Sequence, residues 1–222
     1  MSLVDSKISY PHVKDLLEPT GAEIDQVVEV FVDAFLGDPF SAILLGGNLD
    51  LAPQQLRANV QAALIGGQVH VITVGPKATD IVGASIWFPP GSSAFSSEDQ
   101  RAAGWNQFLE AVPESLRRWW MDYFVPTVSQ LSTNALGSGY LLDSWHLHIF
   151  GVMKAHQRKG YGKVLFQLAE TRAKQNHTPL VLETTTELDV TIYKMLGFHV
   201  CAETAIGSSV GDARMWLMLK ET

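Results

Sequence analysis

Six residues, Gln157-Arg158-Lys159-Gly160-Tyr161-Gly162, stand between a run with strand character and a run with helical spacing. They restrict the fold more than any other stretch of the chain. Glycines two apart let backbone N–H groups turn inward with no Cβ in the way. The first turn of the following helix adds unpaired N–H groups and the positive end of a dipole. Strand, glycine turn and helix in that order make a cradle for a pyrophosphate. Lys154, His156, Arg158, Lys159 and Lys163 gather positive charge here, in a chain that is otherwise acidic, with 16 Lys and Arg against 23 Asp and Glu and a net charge of −7. A local anion site in an acidic chain fits one small anionic ligand. The overall field argues against nucleic acid or an anionic membrane as partner.

Two other phosphate motifs fail on the same letters. A P-loop needs a glycine five residues before its Gly-Lys pair and Ser or Thr after it, and Gln157 and Val164 stand there. A dinucleotide fingerprint needs a third glycine where Leu165 stands.

The remainder reads as alternating helices and strands. Apolar residues Ile24, Val27, Val28, Phe31, Ala34 and Phe35 keep helical spacing, with Thr20 and Glu23 as a capping box and Gly37-Asp38-Pro39 as the stop. A second helix is expected over Pro53 to Ile65. Val69 to Val74 and Ile81 to Phe88 read as a hairpin about Gly75-Pro76. Glu98 to Asn134 is rich in helix formers and aromatics and reads as an inserted helical pair. After a Gly137-Ser138-Gly139 hinge, the pattern predicts a long strand over Leu141 to Val152, a helix over Gly160 to Lys174 and a strand over Leu180 to Glu183. A helix over Leu188 to Leu196 and two closing strands, Phe198 to Ala205 and Ala213 to Lys220, complete it. The expectation is one α/β domain over residues 1–222, a mixed sheet with helices on its faces. The single cysteine, Cys201, excludes an internal disulfide and a cysteine-rich zinc site. No stretch approaches the length of a membrane span and the start shows no signal architecture, so a cytoplasmic protein is expected.

The segment Gln157 to Gly162 resembles the acyl-CoA signature of the GCN5-related N-acetyltransferases (GNAT), Gln/Arg-x-x-Gly-x-Gly/Ala. About thirty residues on, Ile192-Tyr193-Lys194-Met195-Leu196-Gly197-Phe198 is similar to that family's aromatic-Tyr-x-x-x-Gly-Phe segment, with an aliphatic residue in first place. Ala34-Phe35 with Asp38-Pro39, Ser85 to Pro90, Leu182-Glu183-Thr184 and Ala213 to Trp216 further resemble the layout of the puromycin N-acetyltransferase type. The resemblance implies the GNAT fold, here with a helical insert before the fourth strand. It implies acetyl-CoA as acyl donor, in a splay between the fourth and fifth strands, and no metal. Backbone groups of Phe150, Gly151 and Val152 would bind pantetheine and thioester, and Gln157, Arg158, Lys159, Gly160, Tyr161, Gly162 and Lys163 the pyrophosphate. Tyr193 would protonate the departing thiolate.

An attacking ammonium must first lose a proton, and His146, His148 and Glu183 are the candidate bases. Strand alternation places His146 and His148 on one face with Phe150 and Val152. The two histidines also read as metal ligands on one strand, with only His199 and Cys201 nearby to complete a set. Phe35, Asp38, Trp87, Trp119 and Tyr123 are candidate acceptor-site residues, joined by Phe40 and Trp120, although aromatics commonly fill cores. Adjacent Trp119 and Trp120 are not expected both to face inward on one helix. The function expected is direct transfer of an acetyl group, in a ternary complex, to a primary amine of a small molecule such as an aminonucleoside. Alternatives are a peptide or protein amine, a non-catalytic acyl-CoA sensor and a metal-dependent hydrolase. A monomer or homodimer is expected.

Overall fold

A computed structural model describes residues 11–75 and 79–222 of the chain. The start of the chain and Pro76 of the expected hairpin turn lie outside the described residues. Among the described residues seven strands form one sheet in the order β1-β2-β3-β4-β5-β7-β6. They are β1 (His12–Asp15), β2 (Gln68–Val74), β3 (Asp80–Phe88), β4 (Trp145–Val152), β5 (Leu180–Thr184), β6 (His199–Ser208) and β7 (Gly211–Lys220). Only β4 and β5 run parallel; the other neighbours are antiparallel.

One face of the sheet carries α1 (Gly21–Phe35), α2 (Pro39–Leu44), α3 (Ala52–Gly66) and the insert. Thr20 and Glu23 form the expected capping box, each satisfying the other's backbone donor at the start of α1. The expected stop holds, with α1 ending at Phe35 and Gly37 in left-handed backbone at φ 84°. Asp38 accepts from the Phe40 and Ser41 amides and Pro39 opens α2, so the same two letters start a new helix. Val27, Phe31, Val60 and Ala63 are completely buried against β2 and β3, each large side chain contributing roughly 1.5–3 kcal/mol.

The insert comprises α4 (Glu98–Gln100), α5 (Asn106–Ala111), α6 (Glu114–Arg118) and α7 (Val125–Leu136), with π-helical turns over Arg101–Trp105 and Trp119–Phe124. Its own core is Trp105, Phe108, Val112, Leu116 and Trp120. Trp120 donates to the Leu44 carbonyl at 2.9 Å, which ties the insert to α2. Trp119 donates to the Gly207 carbonyl at 2.7 Å, and the Tyr123 hydroxyl accepts from the Gly207 N–H at 2.9 Å. The π-helical turn lets both tryptophans pack against protein, Trp119 stacking on Phe124 with ring centroids 5.0 Å apart.

The other face carries α8 (Tyr161–Asn176) and α9 (Glu187–Met195), packed on Trp87, Trp145, Leu147, Leu182 and Met218. The expected strand over Leu141 to Val152 begins only at Trp145. Tyr140–Asp143 is a 3-10 turn, closed by the Ser144 hydroxyl donating to the Tyr140 carbonyl at 2.7 Å. No helix among the described residues is long and apolar enough to cross a membrane.

Candidate active site in the β4–β5 splay

Parallel pairing of β4 with β5 ends early. It joins Trp145 to Leu180, His146 to Val181 and Leu147 to Leu182, and no β4 residue beyond Leu147 is paired to β5. The outer half of β4 therefore leaves its neighbour and opens a cleft lined by strand backbone. On its other side β4 stays paired to β3, but with an irregularity. Trp87 faces Leu147 and Ile86 faces Ile149, so His148 is an extra residue in a bulge. The bulge shifts the alternation. His146 and His148 share the α3 face, whereas Phe150 lies on the α8 face, where its ring approaches Gly162. The expectation of one face for all four residues fails at this extra residue.

Where β4 ends, the glycine turn begins. Arg158 and Gly160 both adopt left-handed backbone, φ 60° and 80°, and Gly160 caps α8 without any side-chain hydrogen bond. A Cβ at Gly160 would meet nothing within 4 Å, so the positive φ, not crowding, calls for glycine there. The first amides of α8 are left without intrahelical partners, beside exposed Arg158, Lys159 and Lys163. Donors, dipole and cations together suit a diphosphate. The other expected ligands do structural work. The Gln157 amide donates to the Val152 carbonyl at 3.0 Å and folds the turn back onto β4. Tyr161 stacks on His156. The Lys154 backbone N–H donates to the Asp33 carboxylate and its ammonium to the carbonyl of Leu36, the residue after α1, each at 2.6 Å.

Beside the point where the ladder ends, on the α3 face, the His146 Nε2 and the Glu183 carboxylate lie 2.7 Å apart, with side chains 12% and 13% exposed. Burial alone would raise the Glu183 carboxyl. The adjacent His146 ring outweighs it and holds the group below its ordinary range, so Glu183 is ionised. A carboxylate only accepts, so His146 donates through Nε2, and in the neutral ring the lone pair lies on Nδ1. The second Glu183 oxygen is buried without a partner among the described residues. His148 sits beside this pair, ring centroids 6.0 Å apart, between Phe88 and Phe95. Burial, with His146 nearby, lowers its pKa to about 3, so it is neutral. A ring that weak does not give a titration near neutrality, so His148 is a poor general base.

Tyr193 stands on α9, packed on Phe198 at 5.6 Å between centroids. Burial, aided by the Asp189 carboxylate, raises its phenol above the ordinary value and keeps the O–H in place as a donor. The Gly197-Phe198 pair ends that helix. Gly197 takes φ 94°, and the Phe198 amide returns to the Tyr193 carbonyl at 3.0 Å.

The expected acceptor residues fare unequally. Trp87 is completely buried beneath α8 with its indole N–H on Ser85, so it walls no pocket. Asp38 accepts three hydrogen bonds as the α2 cap. Phe35 stacks on Phe31 against the α1 core. Trp119 and Tyr123 hold Gly207, and neither joins the His146 cluster. Asn59 of α3, absent from the expected set, does join it, 2.7 Å from His148. Its trace in the sequence is a polar residue inside the apolar stripe of Leu56, Val60 and Ala63. Among the described residues no group of three His, Cys, Asp or Glu side chains is arranged to hold a metal ion.

The sequence profile of the Acetyltransferase (GNAT) domain matches residues 95–217. No curated protein matches the chain. Among solved structures it is similar to a mosquito arylalkylamine N-acetyltransferase-like protein, at 15% identity and TM-score 0.65, covering 96% of this chain and 100% of that one. It is also similar to a histone acetyltransferase HPA2-related protein from Corynebacterium glutamicum, at 19% identity and TM-score 0.59 over 95% and 96% of the two chains. The ribosomal-protein-S18-alanine N-acetyltransferase of Escherichia coli follows at 12% identity, TM-score 0.55 and 96% and 94% coverage. Such low identities establish the fold. The domain match covers more than half of the 222 residues, and with the splayed parallel pair it places the chain in the GNAT family of acetyl-CoA-dependent acetyltransferases.

Proposed function

We propose that the protein transfers the acetyl group of acetyl-CoA to a primary amine of a small molecule, by direct attack in a ternary complex. The observation that carries this reading is the His146–Glu183 pair beside the splay. When bound there, acetyl-CoA supplies an activated thioester. His146 Nδ1 accepts the ammonium proton, and ionised Glu183 orients the ring and stabilises the imidazolium. The backbone N–H groups of Phe150 and Val152 turn away from β3 towards the splay and would support a thioester oxygen as it gains charge, while that of Gly151 faces β3. Tyr193 donates to the departing sulfur. Free amides of Gly160 to Lys163, with Arg158, Lys159 and Lys163, hold the diphosphate.

The insert supports a small acceptor, because it covers one face of the sheet rather than leaving a trough for a peptide. The puromycin-type layout in the sequence makes an aminonucleoside a sensible first acceptor to try. The arylalkylamine name of one structural neighbour adds arylalkylamines. One continuous sheet from residue 12 to 220 supports a single domain. A thioester donor and the free thiol of Cys201 suit the cytoplasm.

The test is free-thiol release from acetyl-CoA across small amines, polyamines and peptides. Turnover confined to peptide N-termini or lysines would overturn the small-molecule reading. Binding without turnover on any amine would make the protein a sensor. Two substitutions separate binding from chemistry. Gly160→Asp puts a carboxylate at the cradle and is expected to raise the acetyl-CoA Kd at least tenfold, about 1.4 kcal/mol. Calorimetry giving wild-type affinity for the folded variant would remove the turn from the cofactor site. Tyr193→Phe is expected to leave that Kd within about twofold while kcat falls by roughly 10²-fold. An unchanged kcat, where chemistry limits turnover, would make Tyr193 a packing residue.

A further inference from the structure

Asn59 has both ends of its amide fixed. Its Nδ2 donates to the Gln55 carbonyl at 2.8 Å, and a carbonyl can only accept. The amide oxygen is thereby turned towards His148, 2.7 Å from Nε2. An oxygen acceptor at that distance requires Nε2–H, which leaves the Nδ1 lone pair bare. Nδ1 has no partner among the described residues and, unlike Nδ1 of His70, is not sealed from solvent. The ring is held edgewise by Phe88 and Phe95, at 5.5 and 6.4 Å between centroids. A neutral His146 next to it would likewise carry its lone pair on Nδ1, its Nε2 being engaged by Glu183.

We propose that Asn59 is a positioning residue that locks His148 as the Nε2–H tautomer, so that its Nδ1 is a permanent acceptor for one N–H of the incoming amine. The inference rests on the amine-acetylation reading and refines how the acceptor is held. His146 takes a proton away; His148 only receives a hydrogen bond and orients the nitrogen lone pair. The two rings ask different things of one nucleophile, which must carry at least two N–H bonds as it enters. An ammonium ion meets that requirement and an alcohol does not. The titratable groups acting on the His148 ring are His146 and Glu183, from β4 and β5, and α3 presents the uncharged Asn59. Neutrality of the ring matters, because an imidazolium here would repel the ammonium.

The experiment begins with nitrogen NMR of the labelled full chain, with His148 assigned by its loss in His148→Phe. At pH 7 the spectrum should show Nε2 bearing the proton and Nδ1 bare. Titration with 2-phenylethylamine should shift Nδ1 more than Nε2. A proton on Nδ1, or an Nδ1 resonance indifferent to the amine, would overturn the proposal. Neither readout depends on turnover, so an enzyme that acetylates no amine would sink the proposed activity while the tautomer is still decided. Asn59→Leu should then raise the amine KM by roughly tenfold, with kcat and the acetyl-CoA KM each within about twofold. Wild-type amine KM in the folded variant would overturn the proposal. If that variant fails to fold, Asn59→Asp keeps an oxygen acceptor on Nε2 while adding a negative charge. That charge should raise the His148 pKa and add an acidic limb to kcat/KM. A pH profile identical to wild type would again overturn it.

Discussion

Replacing His146 by Ala is expected to lower kcat/KM for a good amine acceptor by roughly 10²–10³-fold near neutral pH. Activity should recover as pH rises, because an amine that deprotonates in solution needs no base. The loss follows from the geometry. The Nε2 of His146 is engaged by Glu183 at 2.7 Å, so the ring has one fixed basic nitrogen, and the buried carboxylate is ionised to receive the resulting positive charge. Glu183→Gln keeps an acceptor oxygen for the ring yet removes the charge, so a smaller fall, about tenfold or more, is expected there. Two acceptors of different amine pKa distinguish enzyme ionisation from substrate ionisation. An acidic limb that tracks the acceptor and survives both substitutions would leave the amine entering already neutral. The cleft would then act by positioning alone.

The second large effect concerns stability in acid. Burial lowers the pKa of His70 to about 4, Arg172 adding to the effect against the opposing Asp15 carboxylate. Burial and His146 lower that of His148 to about 3. In an unfolded chain both rings titrate near 6.5. Below that pH the unfolded ensemble binds more protons than the native state, so stability falls as pH drops. The loss attributable to His70 is complete near pH 4, and that to His148 near pH 3. By pH 4.5 the two together cost roughly 5 kcal/mol, comparable with the whole stability of many domains. Urea midpoints measured between pH 7 and 4.5 should fall steeply over this window. His70→Gln should remove about half of the dependence. A midpoint flat across the window would mean that these rings are not buried neutral.

Much of this was legible in the sequence, and the parts that were not share a cause. Local chemistry wrote itself plainly. The Thr20–Glu23 box, the Gly160 turn and the Gly197-Phe198 helix end each occur where residue type and spacing placed them, because each is a backbone requirement met within a few residues. Gly37-Asp38-Pro39 ended α1 as read but hid α2, because the letters that follow one helix also start another. Trp87 misled because β3 is buried on both faces, so alternation carries no information about which side chains meet a cleft. The bulge at His148 is a property of a strand pair, and no single strand announces it. Asn59 lies 89 residues from the histidine it contacts, and one polar letter in an apolar helical stripe does not name its partner. The short β1 was missed for a similar reason. It is held in place by β2 and by Arg172 of α8, which pairs with Asp15 through both carboxylate oxygens.

The grip of the insert on Gly207 has a consequence for association. β6 is one of the two edge strands of the sheet, paired only with β7, and an edge strand presents unpaired amides and carbonyls that another chain can extend. At Gly207 the N–H and the carbonyl are both engaged by side chains of the insert, Tyr123 and Trp119. A strand arriving at this margin of the sheet would have to displace an indole and a phenol before it could add a rung. The insert therefore guards this edge as well as covering a face, and loosening it would bare a rung on which another strand could be added.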